Sequence, residues 1–171
     1  IPTATGFIGN TSTTGTAFIN NATYIYIAIR RGPMKVPTDA TKVFAPVTRT
    51  GTGATATVTG ASFPPDLGIS LARSAIREKA WHDRLRGATQ QLISSFTSAE
   101  YNDTGSVTSF NMNGWSLGSD GAGNSAVNSS GVTYVNYFLG RAPSFFDEVC
   151  YTGTGSATTF NHNLGAVPEL M

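Results

Sequence analysis

Apolar residues arrive in short bursts, each closed by glycine, proline or asparagine, and this punctuation predicts strands. The strongest burst is Thr23 to Ile29, where β-branched and aromatic residues run without a polar break, as in a strand buried on both faces. Arg30-Arg31-Gly32-Pro33 ends it, because proline cannot donate to a ladder. A polar loop with Pro37 leads to a short strand over Val43 to Val47. Thr50 to Thr59 then alternates Thr with Gly, Ala and Val, the period of a strand with one solvated face. Phe63-Pro64-Pro65-Asp66 reads as a turn and Leu67 to Ala72 as the next strand. Further strands are predicted at Gln91 to Phe96, Val107 to Asn111, Gly114 to Leu117, Tyr134 to Leu139 and Tyr151 to Phe160. Residues 73 to 86 contain good helix formers and a capping Ser74, but their strand-like flanks favour a loop with at most one helical turn. Short strands at about 8–12-residue spacing predict an all-β sandwich or barrel.

The pattern also repeats. Thr50-Gly51-Thr52-Gly53-Ala54-Thr55 returns as Thr152-Gly153-Thr154-Gly155-Ser156-Ala157, and Pro65-Asp66-Leu67 as Pro168-Glu169-Leu170. Tyr24-Ile25-Tyr26 returns at Tyr134, and its Arg-Gly-Pro stop at Arg141-Ala142-Pro143. The spacing, roughly a hundred residues, exceeds the ~20–50-residue periods of solenoids and marks tandem domains. The expected organisation is the end of a preceding segment or linker over 1–22, a β-sandwich module over 23–140, and a second repeat beginning over 141–171. On this reading the chain is a piece of a longer tandem protein.

Composition narrows the function. Charged residues are 12%, about half the usual ~25%, while 40% hydrophobic residues suffice for a core. Solubility therefore comes from hydroxyls and amides, which suit strands and turns. A net charge of +1 and a basic stretch at Arg73 to Arg86 broken by Glu78 and Asp83 argue against nucleic-acid binding. No apolar run approaches the ~20 residues of a membrane-spanning helix. Cys150, the single cysteine, lies between Val149 and Tyr151 and reads as a small buried apolar residue.

Catalytic and cofactor signals are weak. The Thr-Gly segments lack the lysine and the helix of a phosphate loop. Paired carboxylates for glycoside cleavage would sit on one face about 5–5.5 Å apart, whereas the adjacent Asp147 and Glu148 face opposite ways on a strand. Asp120 and Asn124, with Asn128 nearby, offer too few carboxylates for calcium, so the glycine-rich loop needs no metal. His162 between two asparagines reads as a hydrogen-bonding loop residue rather than a zinc ligand. No enzyme activity and no cofactor are expected. Glycan binding is the open possibility, since sugars stack on aromatic faces and are oriented by amides and carboxylates. Its candidates are Trp81, Tyr101, Trp115, Asp120 and Asn124. Trp81 is the better exposed platform, whereas Trp115 reads first as a core residue.

Several stretches together resemble one module of phage virion proteins. They are Leu85-Arg86-Gly87-Ala88-Thr89, Val107-Thr108-Ser109-Phe110-Asn111, Gly114-Trp115-Ser116-Leu117-Gly118-Ser119, Thr133-Tyr134-Val135, Tyr151-Thr152-Gly153-Thr154-Gly155 and His162-Asn163-Leu164-Gly165. The Tyr24 to Pro46 stretch resembles the segment between such modules. The resemblance is to tail-fibre and tail-associated proteins of marine, cyanophage-type and other tailed phages, and spans most of residues 23 to 171. It implies an antiparallel jelly-roll β-sandwich of the concanavalin or laminin-G kind, with a strand and loop before Leu85. It also implies a structural protein of the virion, assembled in the host cytoplasm and displayed outside. The expected partners are copies of itself, as a homo-oligomer and by family habit a trimer, other virion proteins, and a host-surface glycan. A capsid-decoration or filament subunit, and a carbohydrate-binding module of a secreted protein, are the alternatives.

Overall fold

The computed structural model describes residues 2–3, 6–7, 35–119 and 126–171. The predicted strand at Tyr24 to Ile29, and Asp120 and Asn124, lie outside them. The chain divides into two compact units, Ile1–Met34 and Lys35–Met171. In the first, β1 (Pro2–Thr3) pairs antiparallel with β2 (Gly6–Phe7).

The second unit is a β-sandwich. A 3-10 turn, Ala40–Lys42, is capped by Asp39, whose side chain accepts the Thr41 N–H at 2.9 Å. It leads into β3 (Phe44–Thr50), followed by β4 (Ala56–Thr59), β5 (Leu67–Ala72), β6 (Ala80–Asp83), β7 (Gln90–Ile93) and β8 (Tyr101–Asn102). The last strands are β9 (Val107–Asn111), β10 (Gly114–Leu117) and β11 (Thr133–Leu139). One antiparallel sheet has the order β3-β11-β5-β6-β7-β8 and the other β4-β10-β9. Pro46 is tolerated in β3 because β3 is an edge strand, with one side of its backbone outside the ladder.

The sheets face each other across an apolar core. Trp115 of β10 is fully buried, with its ring edge-on to Phe138 of β11 at 4.9 Å and near Phe110 at 6.2 Å. Val58, Phe63, Ala80, Ile93, Val107 and Leu117 are among the other members of the cluster. Gly68 of β5 lies directly beneath the Trp115 ring, where a Cβ would overlap the indole. Strand β11 explains its two-sided apolar sequence. Tyr134, Asn136 and Phe138 point into the core, while Val135, Tyr137 and Leu139 lie half-buried on the outer face.

Three expectations change. Thr50 to Thr59 is not one strand: the chain leaves β3 at Thr50, bends, and re-enters as β4 in the opposite sheet. Gly53 adopts φ +72, a left-handed conformation suited to glycine, and the Thr52 hydroxyl donates to the Ala54 carbonyl at 3.0 Å. Buried Asn128 holds this bend. Its Oδ1 accepts the Thr52 N–H at 3.1 Å, its Nδ2 donates to Ala54 O at 2.7 Å, and its own carbonyl accepts the Gly53 N–H at 2.8 Å. Residues 73 to 79 are loop and β6 follows with no helical turn, so the residue-based reading of a loop through 86 gives way to the strand and loop that the resemblance implies. The third change is at Tyr151 to Phe160, which form no strand. Among the described residues no neighbour supplies a ladder there, and the Thr154 hydroxyl bonds locally to Ser156 instead.

That second Thr-Gly segment keeps the bend of the first. Gly155 has φ +71 against +72 at Gly53, and Thr154 bonds Ser156 as Thr52 bonds Ala54. The surroundings differ: nothing lies within 4 Å of where a Cβ of Gly153 or Gly155 would be.

Candidate functional site

Among the described residues, a cleft of about 890 Å³ opens on the outer face of the six-stranded sheet. Alternation along β6 creates its floor. Ala80 and His82 point inward, so Trp81 and Asp83 point outward. Leu67 lies opposite Asp83, and Ile69 and Leu92 flank Trp81 across the ladder. One wall is the connection from β7 to β8, with Phe96 and Glu100. The other is the strap Phe146 to Tyr151, which follows the Ala142–Phe146 bridge.

Trp81 is 36% exposed, and its Nε1 donates to the Ser94 hydroxyl at 3.1 Å, which fixes the indole plane. Arg86 joins two acids. Its backbone N–H donates to Asp83 Oδ1 at 2.7 Å, its Nε donates to Asp83 Oδ2, and its Nη1 to Glu100 Oε2 at 2.7 Å. Both Asp83 oxygens are therefore engaged, and the side chain is a fixed part of the wall. Glu148 differs, since its Oε2 is buried with no hydrogen-bond partner. Burial raises the Glu148 carboxyl to about 8; Asp83 and Asp66 add to the rise, while Arg141 and Arg86 oppose it.

Beneath the floor runs a polar chain. His82 Nδ1 faces the Ala88 carbonyl at 2.9 Å, and Nε2 lies 3.0 Å from both Gln91 Oε1 and Ser106 Oγ. The Ala88 carbonyl, an acceptor only, takes a hydrogen bond from the proton that His82 carries on Nδ1. Burial lowers the His82 pKa.

The two shifts bracket stability in pH. His82 contributes stability that is present above about 6.5 and lost as pH falls below it, because the folded state resists protonation. Glu148 contributes stability that is full below about 4.5 and lost as pH rises towards about 8, because the folded state retains the proton. Thermal melts of Glu148→Gln should match the parent near pH 4.5 and exceed it above pH 8. Equal melting temperatures at high pH would contradict this environment for Glu148.

The sequence candidates separate. Trp81 lies in the cleft. Trp115 is fully buried, so the core reading holds and it cannot meet a ligand. Tyr101 is 42% exposed but pairs with Gln91, whose Nε2 donates to the Tyr101 hydroxyl at 2.7 Å, and it does not line the cleft. Asn128 is committed to the Thr52 bend. His162 accepts the Leu164 N–H at 3.2 Å, a loop contact. Cys150, expected to be buried, is exposed, because the strap is covered on one side only. The little desolvation it has against the cleft, and then Asp83 and Glu148, raise its thiol pKa.

The sequence pairs Glu148 only with Asp147 and offers neither Arg86 nor Glu100 as a candidate, because the fold, not spacing, brings Asp83, Arg86, Glu100 and Glu148 together. The period of β6 alone could have placed Asp83 beside Trp81. Among the described residues no group of three or more His, Cys, Asp or Glu side chains could hold a metal ion. No described helix is long and apolar enough to cross a membrane.

A family model described as "Domain of unknown function (DUF7483)" matches residues 39–171, and the chain belongs to that family. No curated protein and no solved structure matches it.

Proposed function

We propose that this protein is a structural and adhesive module of a phage particle, in a tail fibre or tail-associated assembly, and that it attaches to a host-surface glycan. The observation that carries attachment is the cleft. It has an oriented, part-exposed indole on its floor, apolar side chains around it and a few convergent polar groups, the usual make-up of a small-molecule site. The fixed Asp83–Arg86–Glu100 arrangement favours binding over catalysis, because Asp83 is not free to act as a base.

Display on the particle rests on the resemblance of the sequence motifs to virion modules, and the recurrence of one bend at Thr52 and Thr154 supports a tandem design. In that design a jelly-roll module repeats along the fibre, and weak sites on several copies act together by effective concentration. To test it, fluorescently labelled protein is applied to host cells and to their extracted surface polysaccharide. Trp81→Ala should weaken retention about tenfold or more, the scale of losing an aromatic anchor. Unchanged retention would remove the cleft from attachment.

A second reading, a shell or filament subunit, is favoured by the apolar C-terminal segment. Leu170 is 90% exposed, whereas Leu67, its counterpart in the repeat, is buried. Sedimentation at rising concentration separates the readings: self-association abolished by Leu170→Asp supports the subunit, and its absence supports the attachment module.

A further inference from the structure

The cleft's charges and donors limit what it can hold. Among the described residues lining it, Arg86 is the sole cation, and its guanidinium is shared between Asp83 and Glu100. Two acids against one committed cation leave the walls electronegative. A carboxylated or sulfated sugar would be repelled, and among the described lining residues no cation is spare to pair with it. An uncharged sugar meets no such penalty. Its ring can lie on Trp81, held in place by Ser94, while its hydroxyls donate to the acidic wall.

Glu148 supplies the complementary polarity. Its Oε2, within the strap, is buried without a hydrogen-bond partner among the described residues, and Asp83 of β6 and Asp66 of the turn before β5 act on it electrostatically. Burial first, and these carboxylates second, favour keeping a proton on Glu148, so its carboxyl group can donate a hydrogen bond into the cleft that it lines. The charged and titratable groups around it are Asp83, Asp66, Arg141 and Arg86, with Cys150 next along the strap.

We propose that the cleft accepts an uncharged saccharide and excludes acidic ones, with the Glu148 carboxyl group donating a hydrogen bond to a sugar oxygen. This rests on the attachment reading of the cleft and adds the ligand class and the group that reads it.

The test is calorimetry on the full chain with neutral hexasaccharides (maltohexaose, cellohexaose, hexa-N-acetylchitohexaose) and acidic ones (hexagalacturonate, hexameric sialic acid). Tryptophan fluorescence locates binding, since Trp115 is buried and Trp81 is not. At least one neutral probe should bind about tenfold or more tightly than either acidic probe. For a proton with a pKa of about 8, affinity should fall about tenfold between pH 7 and pH 9. Glu148→Gln, a permanent donor, should bind like the parent at pH 7 and stay flat to pH 9, and Glu148→Ala should be weak throughout. Acidic probes binding as tightly as neutral ones would overturn the selectivity and leave attachment standing. A parent affinity flat to pH 9, or a pH-sensitive Glu148→Gln, would overturn the role of Glu148. Silence with every probe would overturn this proposal, and with no retention on host polysaccharide it would overturn attachment as well.

Discussion

Replacing Trp115 with alanine is expected to lower stability by about 3–5 kcal/mol, the range for removing a buried aromatic side chain. Native domains hold only about 5–15 kcal/mol, so much of the molecule should be unfolded at modest denaturant. The size follows from position. Trp115 joins the sheets, with Phe138 edge-on at 4.9 Å, Phe110 at 6.2 Å, His82 at 6.0 Å and Gly68 beneath it. Gly68, directly beneath the indole, has no side chain to refill the space. Trp115→Phe keeps part of the contact and should lose less. Guanidinium unfolding followed by circular dichroism checks both. A loss below about 1 kcal/mol for the alanine variant would mean that the sheets do not pack through this residue.

The second large effect is a contrast between two glycines of identical sequence context. Gly51→Ala places a Cβ in overlap with the Ser129 carbonyl oxygen and 3.0 Å from the Tyr134 ring, so backbone must move. Overpacking of this kind costs about 1–3 kcal/mol and can cost more where the obstacle is backbone. The bend it would disturb carries the chain between sheets, through Gly51 N–H to Val132 O at 2.7 Å and Gly53 N–H to Asn128 O at 2.8 Å. Gly153→Ala meets nothing within 4 Å and should lie within about 0.5 kcal/mol of the parent, as surface substitutions do. Equal losses at both positions would show that the second Thr-Gly bend is seated like the first.

The contrast shows what the amino-acid pattern reveals. The apolar bursts at Leu67 to Ala72, Val107 to Asn111, Gly114 to Leu117 and Tyr134 to Leu139 all became strands, because their partners lie in the same compact unit. Tyr151 to Phe160 has the composition of its earlier counterpart and no ladder partner, so it keeps only the local bend. Local chemistry, here a threonine hydroxyl and a left-handed glycine, is legible anywhere in a chain; pairing is not. The same limit governs the cleft. Trp81 stood out because it is aromatic and close to polar loops, whereas Glu148 and Asp83 meet only through the crossing of the strap over β6. Adjacent Asp147 and Glu148 were weighed as strand neighbours, although they belong to an irregular segment. There Asp147 accepts the Asn163 N–H at 2.7 Å, and Glu148 lines the cleft. Cys150 failed for the same reason, since an apolar flank implies burial only inside a sheet.

The most direct test of the account is amide chemical-shift mapping of the intact chain against purified host-surface polysaccharide. The account predicts saturable shifts confined to Ala80–Asp83, to residues 92–100 and to the strap 146–151, with Trp81 and its indole N–H moving most. Shifts centred on other loops, or none at saturating polysaccharide, would contradict the claim that this cleft is where the module attaches.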